Sequence, residues 1–300
     1  MKPSQTLFKD TVAAADYLAV MIEKEHTIYK CKCNGYLDPL EPTIITADDR
    51  MAVVDWCYSV VDHCHFSRES VAIAMDMVDR YLSVPSETGD EALRDQYKFQ
   101  LLAVTALYVA IKINEAVAMS SATLSKITHG AYTVEEIEDM ERTLLSGISW
   151  RCNAPNASQV GLSILSVISP YTNCSEVTWG FLMDEMKYLA ELAVRDYYFS
   201  TKRASTLALA TIFNAIGRIR GKERQELLQA SLCILECFDF DKPKVVLMVS
   251  KKLHQLLEQE NQGRDHDIEE LMDSPEPEAS KCIELRSPNI EMRRNPKLCI

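Results

Sequence analysis

The chain has 300 residues, 47% apolar and 25% charged, a globular composition that excludes a disordered or collagenous protein and can bury a sizeable core. A formal net charge of -12 excludes general binding to phosphate backbone, although a local basic patch is compatible with it. Only 9 glycines in such a length argue against turn-rich sheet folds and for helices.

In chain order, Leu7, Thr11, Ala14, Leu18, Met21 and Ile22 recur at helical spacing and predict an amphipathic helix over 5–26. Residues 27–45, with Gly35, Pro39 and Pro42, read as a connector. Five helical patterns follow. The first opens on a capping box, Thr46 with Asp49, ahead of Val53, Val54, Cys57, Val60 and Val61. The second starts at Ser67, carries Val71, Met77, Val78 and Leu82, and ends near Pro85. The third, over about 95–114, is apolar on every side, so other helices must surround it. A short fourth begins near Ser121, and the fifth opens on a second box, Thr133 with Glu136.

A linker at Arg151–Asn156 precedes five more patterns, near 156–168, 175–196, 201–219, 222–237 and 242–259, again with the third most apolar. The predicted class is all-α: an architecture of five helices around a buried central one, used twice. The predicted division is 1–45 (N-terminal helix and connector), 46–150, 151–259, and a disordered tail over 260–300. That tail is polar and proline-bearing, acidic at first and basic at its end. Within it, Ser274-Pro275 and Ser287-Pro288 are minimal proline-directed phosphorylation sites.

No phosphate-binding glycine loop, dinucleotide fingerprint or nucleophile elbow occurs, so no enzyme is predicted and no cofactor. His63, Cys64 and His65 lie beside Cys57 without a second ligand pair at zinc spacing, and Cys31-Lys32-Cys33 stands alone, so no metal site is predicted. The ten cysteines do not read as a disulfide framework. Asp10 and Asp16 interrupt the first apolar stretch, which therefore does not read as a signal peptide. Reduced thiols in the nucleus and cytoplasm are the expectation. The run Leu101–Ile111 is far short of the roughly 18 residues of a membrane span, so no membrane partner is predicted.

Charged residues embedded in apolar helices are the informative feature. Arg50 through Asp55 and Trp56 resembles the opening motif of the cyclin box, an arginine followed by aliphatics and Asp-Trp. Val78-Asp79-Arg80-Tyr81-Leu82-Ser83 resembles the family's Asp-Arg-Phe/Tyr-Leu-Ser. Gln100-Leu-Leu through Ala110-Ile-Lys112-Ile-Asn-Glu115 is similar to its Leu-Gln-Leu and Ala-Ser-Lys-Tyr/Phe-Glu-Glu. Met140-Glu141 leading to Trp150 is similar to its Met-Glu…Leu…Trp/Phe. The order and spacing of all four carry the resemblance, and the second half matches the weaker C-terminal cyclin fold in pattern only.

The resemblance implies two consecutive five-helix cyclin folds and a regulatory subunit that binds and activates a cyclin-dependent serine/threonine protein kinase, controlling cell-cycle progression. By the same resemblance, Arg50 and Asp79 form a buried structural ion pair. Lys112 and Glu141, with Glu115, grip the kinase, and Asn114 replaces the first glutamate of the usual pair. Neither Lys112 nor Glu141 is expected to need its charge for folding. Val53, Trp56 and Gln100 match part of a patch that docks short Arg-x-Leu peptides of substrates or inhibitors. Here the sequence departs: Asp49 stands where many cyclins have Met, and Ser59 where an acidic residue would hold the peptide's arginine. Two rivals share the fold. One is a scaffold without kinase activation. The other is a DNA-binding factor of the transcription-factor IIB type, which the acidic balance and the missing zinc ribbon oppose, so no nucleic-acid partner is predicted.

Overall fold

The computed structural model describes residues 5–29, 35–37 and 43–272. Among these, every regular element is helical. No described helix is long and apolar enough to cross a membrane. The described residues form two compact units, one within 33–152 and the other of the N-terminal segment with residues 153–272.

The first unit contains α2 (Ala47–His63), α3 (Glu69–Leu82), α4 (Glu87–Arg94), α5 (Gln96–Asn114), α6 (Ser121–Ile127) and α7 (Val134–Gly147). Both predicted capping boxes form. The Thr46 amide donates to Asp49 Oδ2 at 2.8 Å while Thr46 Oγ1 accepts from the Asp49 amide, and Thr133 and Glu136 repeat the exchange at α7. Every residue of α5 from Phe99 to Ile111 is buried, and α3 and α7 pack against it most extensively. This is the helix that the sequence requires to be surrounded.

The short α4 is a difference from the sequence reading. Its composition, Glu-Thr-Gly-Asp-Glu, reads as loop. Ser86 Oγ nevertheless accepts from the Gly89 amide at 3.1 Å and nucleates a turn, which Ala92 and Leu93 anchor by burial.

The second unit joins α1 (Gln5–His26) to α8 (Ala157–Ile168), α9 (Glu176–Arg195), α10 (Tyr197–Ser200), α11 (Ala204–Arg218), α12 (Lys222–Cys237) and α13 (Pro243–Met272). Here α11 is central and packs on α13, α9 and α8. α1 buries Leu18, Met21 and Ile22 in this core, mainly against α8. A polar latch fixes its end: Glu25 accepts from the Ser205 amide at 2.7 Å and from Arg203 at 3.2 Å, and Arg203 also pairs with Asp241. At the other end of the unit, Glu223 of α12 accepts from the Ser175 amide at 2.8 Å and from Thr178 Oγ1 at 2.5 Å, holding the start of α9.

α13 runs to Met272, past the predicted helix end at 259. Charge alone does not stop a helix, and no proline interrupts the chain before Pro275. Ser274, Ser287, Cys31 and Cys33 lie outside the described residues.

Candidate functional site

Arg50, on the first turn of α2, is 1% exposed. Its Nε donates to Asp79 Oδ1 at 2.9 Å and its Nη2 to Oδ2 at 2.7 Å, a two-pronged pair between α2 and α3. The Tyr36 hydroxyl donates to the same carboxylate at 2.8 Å. Burial alone lowers the arginine pKa, yet Asp79 and Tyr36 outweigh it and the pKa goes up. The predicted pairing is therefore present in the geometry, with a tyrosine that the sequence did not announce.

Lys112 lies in the last turn of α5, where a cation complements the helix dipole. Its Nζ donates to Glu141 Oε1 of α7 at 2.6 Å and lies 4.6 Å from the Tyr108 ring centroid. The lysine side chain is 37% exposed and the glutamate 16%. Burial pulls the lysine pKa down, but the bond to Glu141 prevails and raises it. Thus α5 and α7 bring the two expected kinase-contacting residues together, and each is the other's partner.

Glu115 is differently placed. Its Oε1 accepts from the Ser67 amide at 2.9 Å and from Ser70 Oγ at 2.7 Å, while Asn114 donates to Ser70 Oγ at 2.9 Å. Both residues tie the end of α5 to the start of α3, so this carboxylate is engaged within the fold.

Val53, Trp56 and Gln100 are all buried. Gln100 Oε1 accepts from the Tyr132 hydroxyl at 3.1 Å, and Trp56 Nε1 has no acceptor. Asp49 is occupied by its capping box, and Ser59 Oγ donates to the Asp55 carbonyl at 3.0 Å. With its three side chains buried, the patch presents little of them to a peptide.

Beyond these, Ile113, Val117 and Trp150 are exposed apolar side chains, the last 71% exposed. Ile113 follows Lys112 directly in the chain, and Val117 lies five positions after it. The Cys152 thiol, two residues after Trp150, has its pKa raised chiefly by burial and also feels Glu141. Cys57 is fully buried, its pKa pushed up to about 12, which makes it an inert core residue. Among the described residues, no group of three His, Cys, Asp or Glu side chains is placed to hold a metal ion.

Residues 16–153 match the family model described as the cyclin N-terminal domain. The chain therefore carries a cyclin N-terminal domain. It is 27% identical over 209 residues to a G2/mitotic-specific cyclin-B of Drosophila melanogaster, covering 70% of this chain and 36% of that one. It is 26% identical to cyclin-A2-1 of Oryza sativa subsp. japonica, covering 61% and 35%. The chain thus spans about a third of the length of these relatives.

Among solved structures, a viral cyclin from Herpesvirus saimiri superposes with a TM-score of 0.57 at 12% identity, covering 82% of this chain and 97% of that one. A chain of the CAK complex of Chaetomium thermophilum, bound to ATP-γ-S, gives 0.51 at 17%, covering 87% and 76%. These likenesses show the cyclin fold. On that fold, the sequence reading placed the charged pair but missed the exposure of Trp150. The sequence reading used Trp150 only as the end of a motif, and the turn it occupies is what puts it outside.

Proposed function

We propose that this chain is the regulatory subunit of a cyclin-dependent protein kinase, docking through the face that carries Lys112, Glu141 and Trp150. The observation that carries the reading is the Lys112–Glu141 bridge, poised at 2.6 Å between two helices with the lysine still part-exposed. Such a bridge can add hydrogen bonds to the unsatisfied backbone groups at a partner's helix end while keeping its own. The relatives named as mitotic cyclins and the CAK complex neighbour support a kinase as that partner.

The chain performs no chemistry in this reading. It binds best to the kinase conformer whose regulatory helix is turned inward and whose Lys–Glu pair is formed, and so shifts the population toward the active state. The sites of action are the nucleus and cytoplasm.

The test is direct. Purified cyclin-dependent kinase catalytic subunits are titrated singly with this chain, measuring Kd and phosphorylation of a Ser-Pro peptide. Tight binding to at least one subunit with a rise in turnover is expected. Binding without activation, or no binding across the set, would overturn the activator reading and favour the scaffold.

A further inference from the structure

The exit from α7 is built under constraint. A Cβ at Gly147 would meet the Tyr81 ring of α3 at 2.5 Å, so the last residue of α7 lies directly against α3. The chain then bends sharply. The Trp150 amide donates to the Leu145 carbonyl at 2.8 Å, and both Ser149 and Trp150 adopt left-handed backbone, φ 55 and 60. The exit from α2 uses one such residue, His65, and that from α6 uses His129 followed by Gly130. Two in succession, neither a glycine, make a strained turn that its surroundings must hold.

The group that holds it is an arginine. Arg80 of α3 donates from Nη2 to the Arg151 carbonyl at 2.7 Å, immediately after the strained pair, and from Nε to Asp76 Oδ2 at 2.7 Å. The Arg80 side chain is 20% exposed, whereas Trp150 is 71% exposed. Cys152, the next residue, lies within electrostatic reach of both Arg80 and Glu141.

We infer that Arg80 is a positioning residue of the docking face: anchored by Asp76, it fixes the Arg151 carbonyl and thereby the strained turn that presents the Trp150 indole to the partner. The inference rests on the kinase-docking reading above and deepens it. A purely structural Arg80 would add stability wherever it sat. A positioning Arg80 matters to binding only while there is an indole to position.

The experiment is a double-mutant cycle on the intact chain, using the kinase subunit that binds it. Wild type, Arg80→Met, Trp150→Ala and the double variant are compared by Kd and by melting temperature. Trp150→Ala is expected to weaken binding at least tenfold with unchanged melting, since the indole is exposed. Arg80→Met is expected to weaken binding about tenfold alone but less than twofold in the Trp150→Ala background. Arg80→Lys, which can keep one of the two bonds, should fall between.

If Arg80→Met is poorly folded, Asp76→Asn removes the anchor and leaves the arginine in place, with the same coupling expected. Equal losses in both backgrounds, or no loss at all, would overturn the positioning role. Wild-type binding by Trp150→Ala together with Lys112→Met and Glu141→Gln would instead overturn the docking reading, and the inference with it.

Discussion

Lys112 and Glu141, twenty-nine positions apart in the chain, bridge α5 and α7 at 2.6 Å. The expectation that neither needs its charge for folding is thereby corrected, because Glu141 is mostly buried and takes its hydrogen bond from this lysine. Lys112→Met leaves that carboxylate under-solvated. After discounting for solvent at the exposed lysine, the cost is about 1 kcal/mol, a fall of roughly 2–4 °C in Tm.

Binding should respond more steeply than melting. Each neutral replacement removes a charged group from a desolvated interface, at a cost of about 2–5 kcal/mol in kinase affinity. The Lys112→Met/Glu141→Gln double variant should regain part of the lost Tm, because neither charge is left alone, while its affinity stays low. Melting and titration on the same four proteins check both halves.

The Arg50–Asp79 pair makes the opposite demand. Arg50→Ala strands Asp79 with only Tyr36 for company and should cost on the order of 3–5 kcal/mol of stability. Urea unfolding of the variant measures this. Kinase affinity per folded molecule should be unchanged, and a selective loss of affinity at wild-type stability would reverse the assignment.

Acid should act through α12. Bonds from Thr178 and Ser175 hold the Glu223 carboxyl below its usual range. A folded pKa below the unfolded one means a stabilisation that is present above about pH 4.5 and lost as pH falls through the folded value. Melting curves from pH 6 to 3 should fall on the acid side, and Glu223→Gln should flatten that fall.

A chain ending after Met272 should melt and bind kinase as the full chain does, since α13 is then complete. If Ser274 and Ser287 govern lifetime, the truncated protein should persist longer in a chase after translation is stopped. Loss of kinase binding on this truncation would show that the tail belongs to the interface.

Much of the fold is legible because local and global signals agree. The two capping boxes announce α2 and α7, and the apolar run of α5 announces its own burial. α4 escapes because one serine and two buried side chains sustain it, too few for a periodic signal. The unit to which α1 belongs is equally silent, since an amphipathic face states that it must be covered and not by what. Within the candidate site, Lys112, Glu141 and Arg50 are legible as charges out of place. Arg80 hides in a motif that reads as structural, and the end of Glu115's carboxylate at Ser67 and Ser70 depends on a contact 48 positions away in the chain.

Gly147 bears on the same region from the end of α7. With no side chain of its own, it sets how closely α7 can approach Tyr81, and α7 also carries Glu141. A single methyl there would act as a shim, prying that end of α7 away from α3 and shifting both the carboxylate and the turn beyond it. The spacing of the Lys112–Glu141 pair, and the aim of Trp150, are thus calibrated by a residue that has no side chain and could never be found by removing side chains one at a time.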